Sequence, residues 1–124
     1  MSGRWLAVGA VLAALGVAMG AFGAHALKAH LTAERLEVWK TATHYHLIHA
    51  VSVALIGASV AASVPGVETS LKLLTAGLVI FAGTLYLLCL TGLGWLGAIT
   101  PIGGLLLIAG WLTLARAAWA AASH

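Results

Sequence analysis

Three histidines, His25, His46 and His49, together with Tyr86, Thr91 and Thr100, are the residues of this 124-residue chain whose types and placement could do chemistry. His46 and His49 stand three residues apart, near one helical turn, and so share a helix face. Three imidazoles suit zinc or copper, and His44 is a spare ligand, but no carboxylate or thiolate stands ready to complete such a site. Two histidines on facing helices suit haem. A histidine and tyrosine at membrane depth also suit a quinone, a lipid headgroup or a proton relay. The plainer reading is structural: neutral imidazoles bonded to Thr, Tyr or a free carbonyl near helix ends tie a bundle together. No nucleophile with its base, phosphate loop or metalloprotease motif accompanies them, so the expectation is a protein that is not an enzyme, with no cofactor assigned.

The elements that must position these residues follow from charge. Leu73 to Ala115 is a run of 43 residues without a charged side chain. As a helix it would be roughly 64 Å long, about twice the hydrocarbon thickness of a bilayer, so it must turn back within itself. Three glycines between Thr91 and Gly97, followed by Pro101, place that turn at 91–101. Two further charge-free runs, Trp5 to Leu27 (23 residues) and Thr41 to Val67 (27 residues), are each long enough for one crossing. With 62% hydrophobic and 7% charged residues, the surface must be apolar as well as the core. The reading is an all-α integral membrane bundle of four transmembrane helices in a single domain over 1–124, with spans at about 5–27, 44–64, 71–91 and 100–119. No water-soluble domain is expected beside it, and a cleaved signal peptide is disfavoured by the length of the first apolar run.

Five of the nine charges (Lys28, Glu34, Arg35, Glu37, Lys40) lie between the first two runs. Thr32 is the expected N-cap of helix two, which should extend into water as an amphipathic segment before Tyr45, end at Val64-Pro65-Gly66, and be the longest helix. Trp39, Trp95 and Trp119 are expected as interfacial anchors, and Cys89 as an inert packing residue. Helix one carries Gly9, Gly16, Gly20 and Gly23 as a stripe of small residues that either packs on a neighbouring helix or forms a homo-oligomer face; Gly103 and Gly110 play the packing part on helix four.

Depth groups the polar residues. Helix one leaves the membrane where helix two enters, so His25, His46, His49, Tyr86, Thr91 and Thr100 collect toward that side, with His25 expected opposite His46 and Tyr86 close by. Positive charges divide evenly between the two sides, with Arg4, Lys72 and Arg116 on one and Lys28, Arg35 and Lys40 on the other. The N-terminal amine tips the balance toward cytoplasmic termini. A net charge of +3 suits anionic headgroups and implies no nucleic-acid partner.

Four phrases in order carry a resemblance: Gly20-Ala21-Phe22-Gly23-Ala24-His25-Ala26-Leu27; Trp39-Lys40-Thr41-Ala42 with Tyr45-His46 and His49-Ala50; Gly83-Thr84-Leu85-Tyr86 with Leu90-Thr91-Gly92; and Ile99-Thr100-Pro101-Ile102-Gly103-Gly104 with Gly110-Trp111. They resemble the YgdD/YwdK family of small bacterial inner-membrane proteins, domain of unknown function four-two-three, over nearly the whole chain. The resemblance implies an inner-membrane location and no assigned biochemistry. Phe81-Ala82-Gly83-Thr84 departs from the family's usual Phe-Ser-Gly-Ser, losing one hydroxyl, and Cys89 replaces a small residue. Three functions are therefore carried forward: a structural or accessory membrane component, a binding module for metal, haem or quinone, and a small oligomeric transporter or proton pathway.

Overall fold

A computed structural model describes residues 2–123, and among them the chain is all-helical, without strands. Four long helices follow one another: α1 (Ser2–His25), α2 (Ala33–Ala58), α3 (Val67–Thr91) and α4 (Leu96–Ala122), with a short 3₁₀ turn at Val60–Ser63. Three of them, from Gly3 in α1, α3 and α4, are long and apolar enough to cross a membrane by length and composition. The second is not among the three, because charged residues fill its first turns and three histidines follow.

Local chemistry sets the boundaries. Thr32 caps α2 as expected, its hydroxyl accepting from the Arg35 amide at 3.1 Å. At the other end the helix stops at Ala58, six residues short of Val64. There the Ser59 hydroxyl accepts from the Ala61 amide and Ser59 and Ser63 donate back to carbonyls, which competes with the helical ladder. Helix α3 starts at Val67, behind Gly66 in the left-handed region (φ 93°), and ends at Gly92 in the same region (φ 74°). The turn expected over 91–101 is much tighter. Bonds from Leu96, Gly97 and Ala98 amides to carbonyls three residues back open α4 at Leu96, and Pro101 lies inside the helix, where it forgoes one bond to the Gly97 carbonyl. At 27 residues α4 is the longest helix, one residue longer than α2.

The helices pack as two antiparallel hairpins joined through α2 and α3. In the first, Gly9 backs onto Ala54, Gly16 onto Leu47, Gly20 onto Thr43 and Gly23 onto Trp39, a register held along the full length of α1. The stripe of helix one thus packs on α2 within the chain. In the second hairpin Gly103 lies against the Phe81 backbone, Gly77 against Leu107 and Gly110 against Leu74. The buried core runs down the middle through Trp39, Ala42, Ala50 and Val53 of α2 and Leu71, Leu74, Leu78, Ala82 and Cys89 of α3. Trp39, expected at the interface, is 2% exposed and belongs to this core, whereas Trp95 and Trp119 are exposed at 60% and 78%.

Candidate functional site

Residues 39, 42, 43, 46, 49, 50, 53 and 57 of α2 are buried, a stripe at three- and four-residue spacing that turns both central histidines inward. His46 sits where α1, α2 and α3 meet. Its Nε2 is 2.7 Å from the Leu12 carbonyl and its Nδ1 is 2.7 Å from the Tyr86 hydroxyl. A carbonyl only accepts, so Nε2 carries the proton and donates to it, and in the neutral ring Nδ1 accepts from the Tyr86 O–H. One imidazole thereby joins three helices.

His49, one turn on, is held in the opposite tautomer. The Trp111 indole of α4 donates to its Nε2 at 3.0 Å, and an indole has no other role, so Nδ1 must carry the proton and donate to the Tyr45 carbonyl at 2.7 Å. The Tyr45 ring stacks on His49 with an interplanar angle of 7°. Each imidazole therefore has its one lone pair committed to a protein donor. Neither offers a free nitrogen to zinc, copper or haem iron without breaking an interhelical bond.

The other expected members fall elsewhere. His25 is exposed and does not meet His46. It follows Gly23 by two residues, about 200° around the helix, so with Gly23 against α2 it must face away. His44, two residues before His46, is exposed for the same reason. Thr91 lies at the exposed end of α3, donating to Leu87 and accepting from the Leu93 amide, which makes it part of a helix terminus. Thr100 is buried and pairs across the second hairpin with Thr84 at 2.7 Å. Among the described residues, no three His, Cys, Asp or Glu side chains are grouped to hold a metal ion.

Three participants were not picked out from sequence. Trp39 donates its indole N–H to the Met19 carbonyl of α1 at 2.8 Å, packed against Tyr86 with ring centroids 4.6 Å apart. Trp111 and Thr84 are the partners that reach His49 and Thr100. For Trp39 the signal was present, since it begins the buried stripe of α2. For Trp111 it was not, because its register against His49 depends on how the two hairpins dock.

A family model described as a protein of unknown function (DUF423) matches residues 19–104, a stretch that includes His46, His49, Tyr86 and Thr100 but not Leu12 or Trp111. The chain is 43% identical over 110 residues to a UPF0382 membrane protein of Staphylococcus haemolyticus, covering 89% of this chain and 90% of the relative. It is 39% identical over 116 residues to the UPF0382 membrane protein YwdK of Bacillus subtilis, covering 92% and 94%. A UPF0382 membrane protein of Staphylococcus saprophyticus is 44% identical over 110 residues, covering 89% and 92%. No solved structure matches.

Proposed function

The chain belongs to the DUF423 family, whose members have no assigned activity, and from that premise we propose that it is a four-span bundle with a structural or accessory role in the bacterial plasma membrane. Support for the fourth span comes from packing. Helix α2 lies antiparallel to α1 from Trp39 against Gly23 to Ala54 against Gly9, so it traverses whatever α1 traverses. Its charge-free part, 41–58, is about 27 Å long as a helix, close to the hydrocarbon thickness. The low hydropathy of α2 comes from its four charged residues before Thr41 and from three histidines, of which His46 and His49 are each only 6% exposed, while its outward positions beyond His44 include Ile48, Val51 and Leu55. With four spans both termini lie on one side, and we place that side in the cytoplasm. Cysteine accessibility in a Cys89→Ser background checks this: Gly66→Cys should label from the side of the termini, and Ala33→Cys and Gly94→Cys from the other. Labelling of Gly66→Cys and Gly94→Cys from the same side would refute four spans.

The structural role rests on one observation, the full commitment of both inward imidazoles to interhelical bonds. Such bonds order a bundle and leave nothing for a ligand to coordinate. The binding-module reading needs a free imidazole nitrogen and the proton-pathway reading a continuous chain of groups that both donate and accept, whereas the Tyr86–His46 chain ends on the Leu12 carbonyl, so the geometry favours neither. Purified protein should show no haem absorption and no stoichiometric transition metal, and His46→Leu should lower its melting temperature in detergent. A coloured or metal-loaded preparation whose ligand is lost in His46→Leu with melting unchanged would overturn the structural reading.

A further inference from the structure

A cavity of about 410 Å³ opens between α1 and α2 at the end where α1 leaves and α2 begins. Its apolar wall is Gly20, Gly23, Ala24, Leu36 and Trp39; Lys28, Lys40 and His44 also line it, and no acidic residue does. Its volume falls in the roughly 300 to 1,000 Å³ range of small-molecule sites. A cavity of about 540 Å³ at the opposite end differs in kind, because Arg4 there is accompanied by Glu68.

Depth explains what the first cavity could hold. Lys28 follows the charge-free run of α1 and Lys40 precedes that of α2, so both ammonium groups stand at headgroup level while the Gly20 to Ala24 wall lies one to two turns deeper. A free inorganic anion would use the lysines and leave the apolar wall wet. A lipid uses both. Lys40 is paired with Glu37 only across 3.8 Å, with both side chains mostly exposed, a contact weak enough to yield to a phosphate.

We propose that the cavity between Lys28 and Lys40 binds one anionic glycerophospholipid, its phosphate held by the two ammonium groups and its glycerol and first methylenes lying on the wall formed by Gly20, Ala24, Leu36 and Trp39. Basic pockets between membrane helices recognise anionic headgroups by this combination of charge and adjoining hydrocarbon. The proposal rests on the four-span reading, which places this end of the bundle at a membrane face.

Native mass spectrometry of the full chain released from detergent, titrated with phosphatidylglycerol and in parallel with phosphatidylcholine, tests it. The wild-type chain should retain one phosphatidylglycerol saturably and at least tenfold more tightly than phosphatidylcholine. Each surface lysine contributes about fivefold, so Lys28→Gln with Lys40→Gln should weaken phosphatidylglycerol about 30-fold and abolish the preference. Ala24→Phe fills the apolar wall from an exposed position and leaves the lysines in place; it should also remove the bound lipid. Arg4→Gln, in the opposite cavity, should change the preference less than twofold. Equal retention of the two lipids, an equal loss in Arg4→Gln, or displacement of the lipid by millimolar inorganic phosphate would overturn the proposal. The cysteine labelling described above reports separately on the spans, so a chain that labels as four-span yet shows no lipid preference refutes this site alone.

Discussion

The two hairpins solve the same problem, holding two helices together where lipid gives them no hydrophobic reason to associate, in different ways. In the second, glycines stand on both helices, Gly77 on α3 and Gly103 and Gly110 on α4, and at Gly77 and Gly103 the neighbour is the facing backbone itself. One Thr84 to Thr100 bond is its only side-chain hydrogen bond between helices among the described residues. In the first, one end is built alike, with Gly9 of α1 against the Ala54 backbone and Gly57 of α2 against Trp5, but from Gly16 to Gly23 the glycines of α1 face side chains of α2: Leu47, His46, Thr43 and Trp39. Those side chains donate to carbonyls of α1, Trp39 to Met19 and His46 to Leu12. A helix carbonyl already bonded in its own ladder accepts a second bond only from a donor that comes very close, and bare glycines permit that approach. The second seam depends on side chains being absent, the first, between Gly16 and Gly23, on particular side chains being present.

That contrast is broken most severely at Gly103. A Cβ there would collide with the Phe81 amide and stand 2.8 Å from its Cα, and backbone cannot rotate out of the way. Gly103→Ala should cost about 3 kcal/mol, the upper part of the usual overpacking range, measured as SDS-titration unfolding in detergent micelles. A loss below about 1 kcal/mol would mean that the second seam is loose and the contrast false.

His46→Leu is the strongest test of the first seam. It removes two bonds and leaves the Tyr86 hydroxyl buried without its acceptor, at an expected cost of about 2 kcal/mol. Tyr86→Phe in the His46→Leu background should recover part of that loss, since it removes the hydroxyl that His46→Leu leaves without an acceptor. Trp39→Phe comes next. It keeps an aromatic ring against Tyr86 but gives up the bond to Met19, whose carbonyl retains its helical partner, and part of the buried volume of the indole, so about 1 to 2 kcal/mol is expected in the same titration.

The helices and the inward turn of His46 were legible because both follow from local pattern. Charge-free runs marked the four helices, and spacing together with the cost of a lipid-facing imidazole turned His46 toward Tyr86. His25 was misplaced in depth as well as azimuth: His46 lies opposite Gly16 and bonds Leu12, more than two helical turns deeper along α1 than His25, and His25 also lies across the helix from Gly23. Trp39 was taken for an anchor because tryptophan near a span end usually is one, although its spacing to Thr43, His46 and Ala50 already placed it on the buried stripe. The start of α4 was read four residues late, at 100, because Pro101 was treated as a first-turn residue, whereas three tight bonds after Gly94 open the helix at Leu96. The docking of Trp111 on His49 joins residues 62 apart in sequence and leaves no local trace.

Thr100→Val carries the smallest expected effect and tests the weaker half of the contrast. The substitution keeps the branched shape and removes the hydroxyl that meets Thr84 at 2.7 Å and bonds the Leu96 carbonyl at 3.1 Å. Nothing is orphaned, because Thr84 still reaches the Ile80 carbonyl at 2.7 Å, so the seam loses one interhelical bond and no more. Such bonds average about 0.6 kcal/mol inside membranes, and a loss of that size is the expectation. Because a single bond is shared, Thr84→Val with Thr100→Val should cost less than the two separate changes added together. If Thr100→Val alone removed 2 kcal/mol or more, the second hairpin would depend on its hydroxyls as the first depends on its ring donors, and glycine packing could not be its main hold.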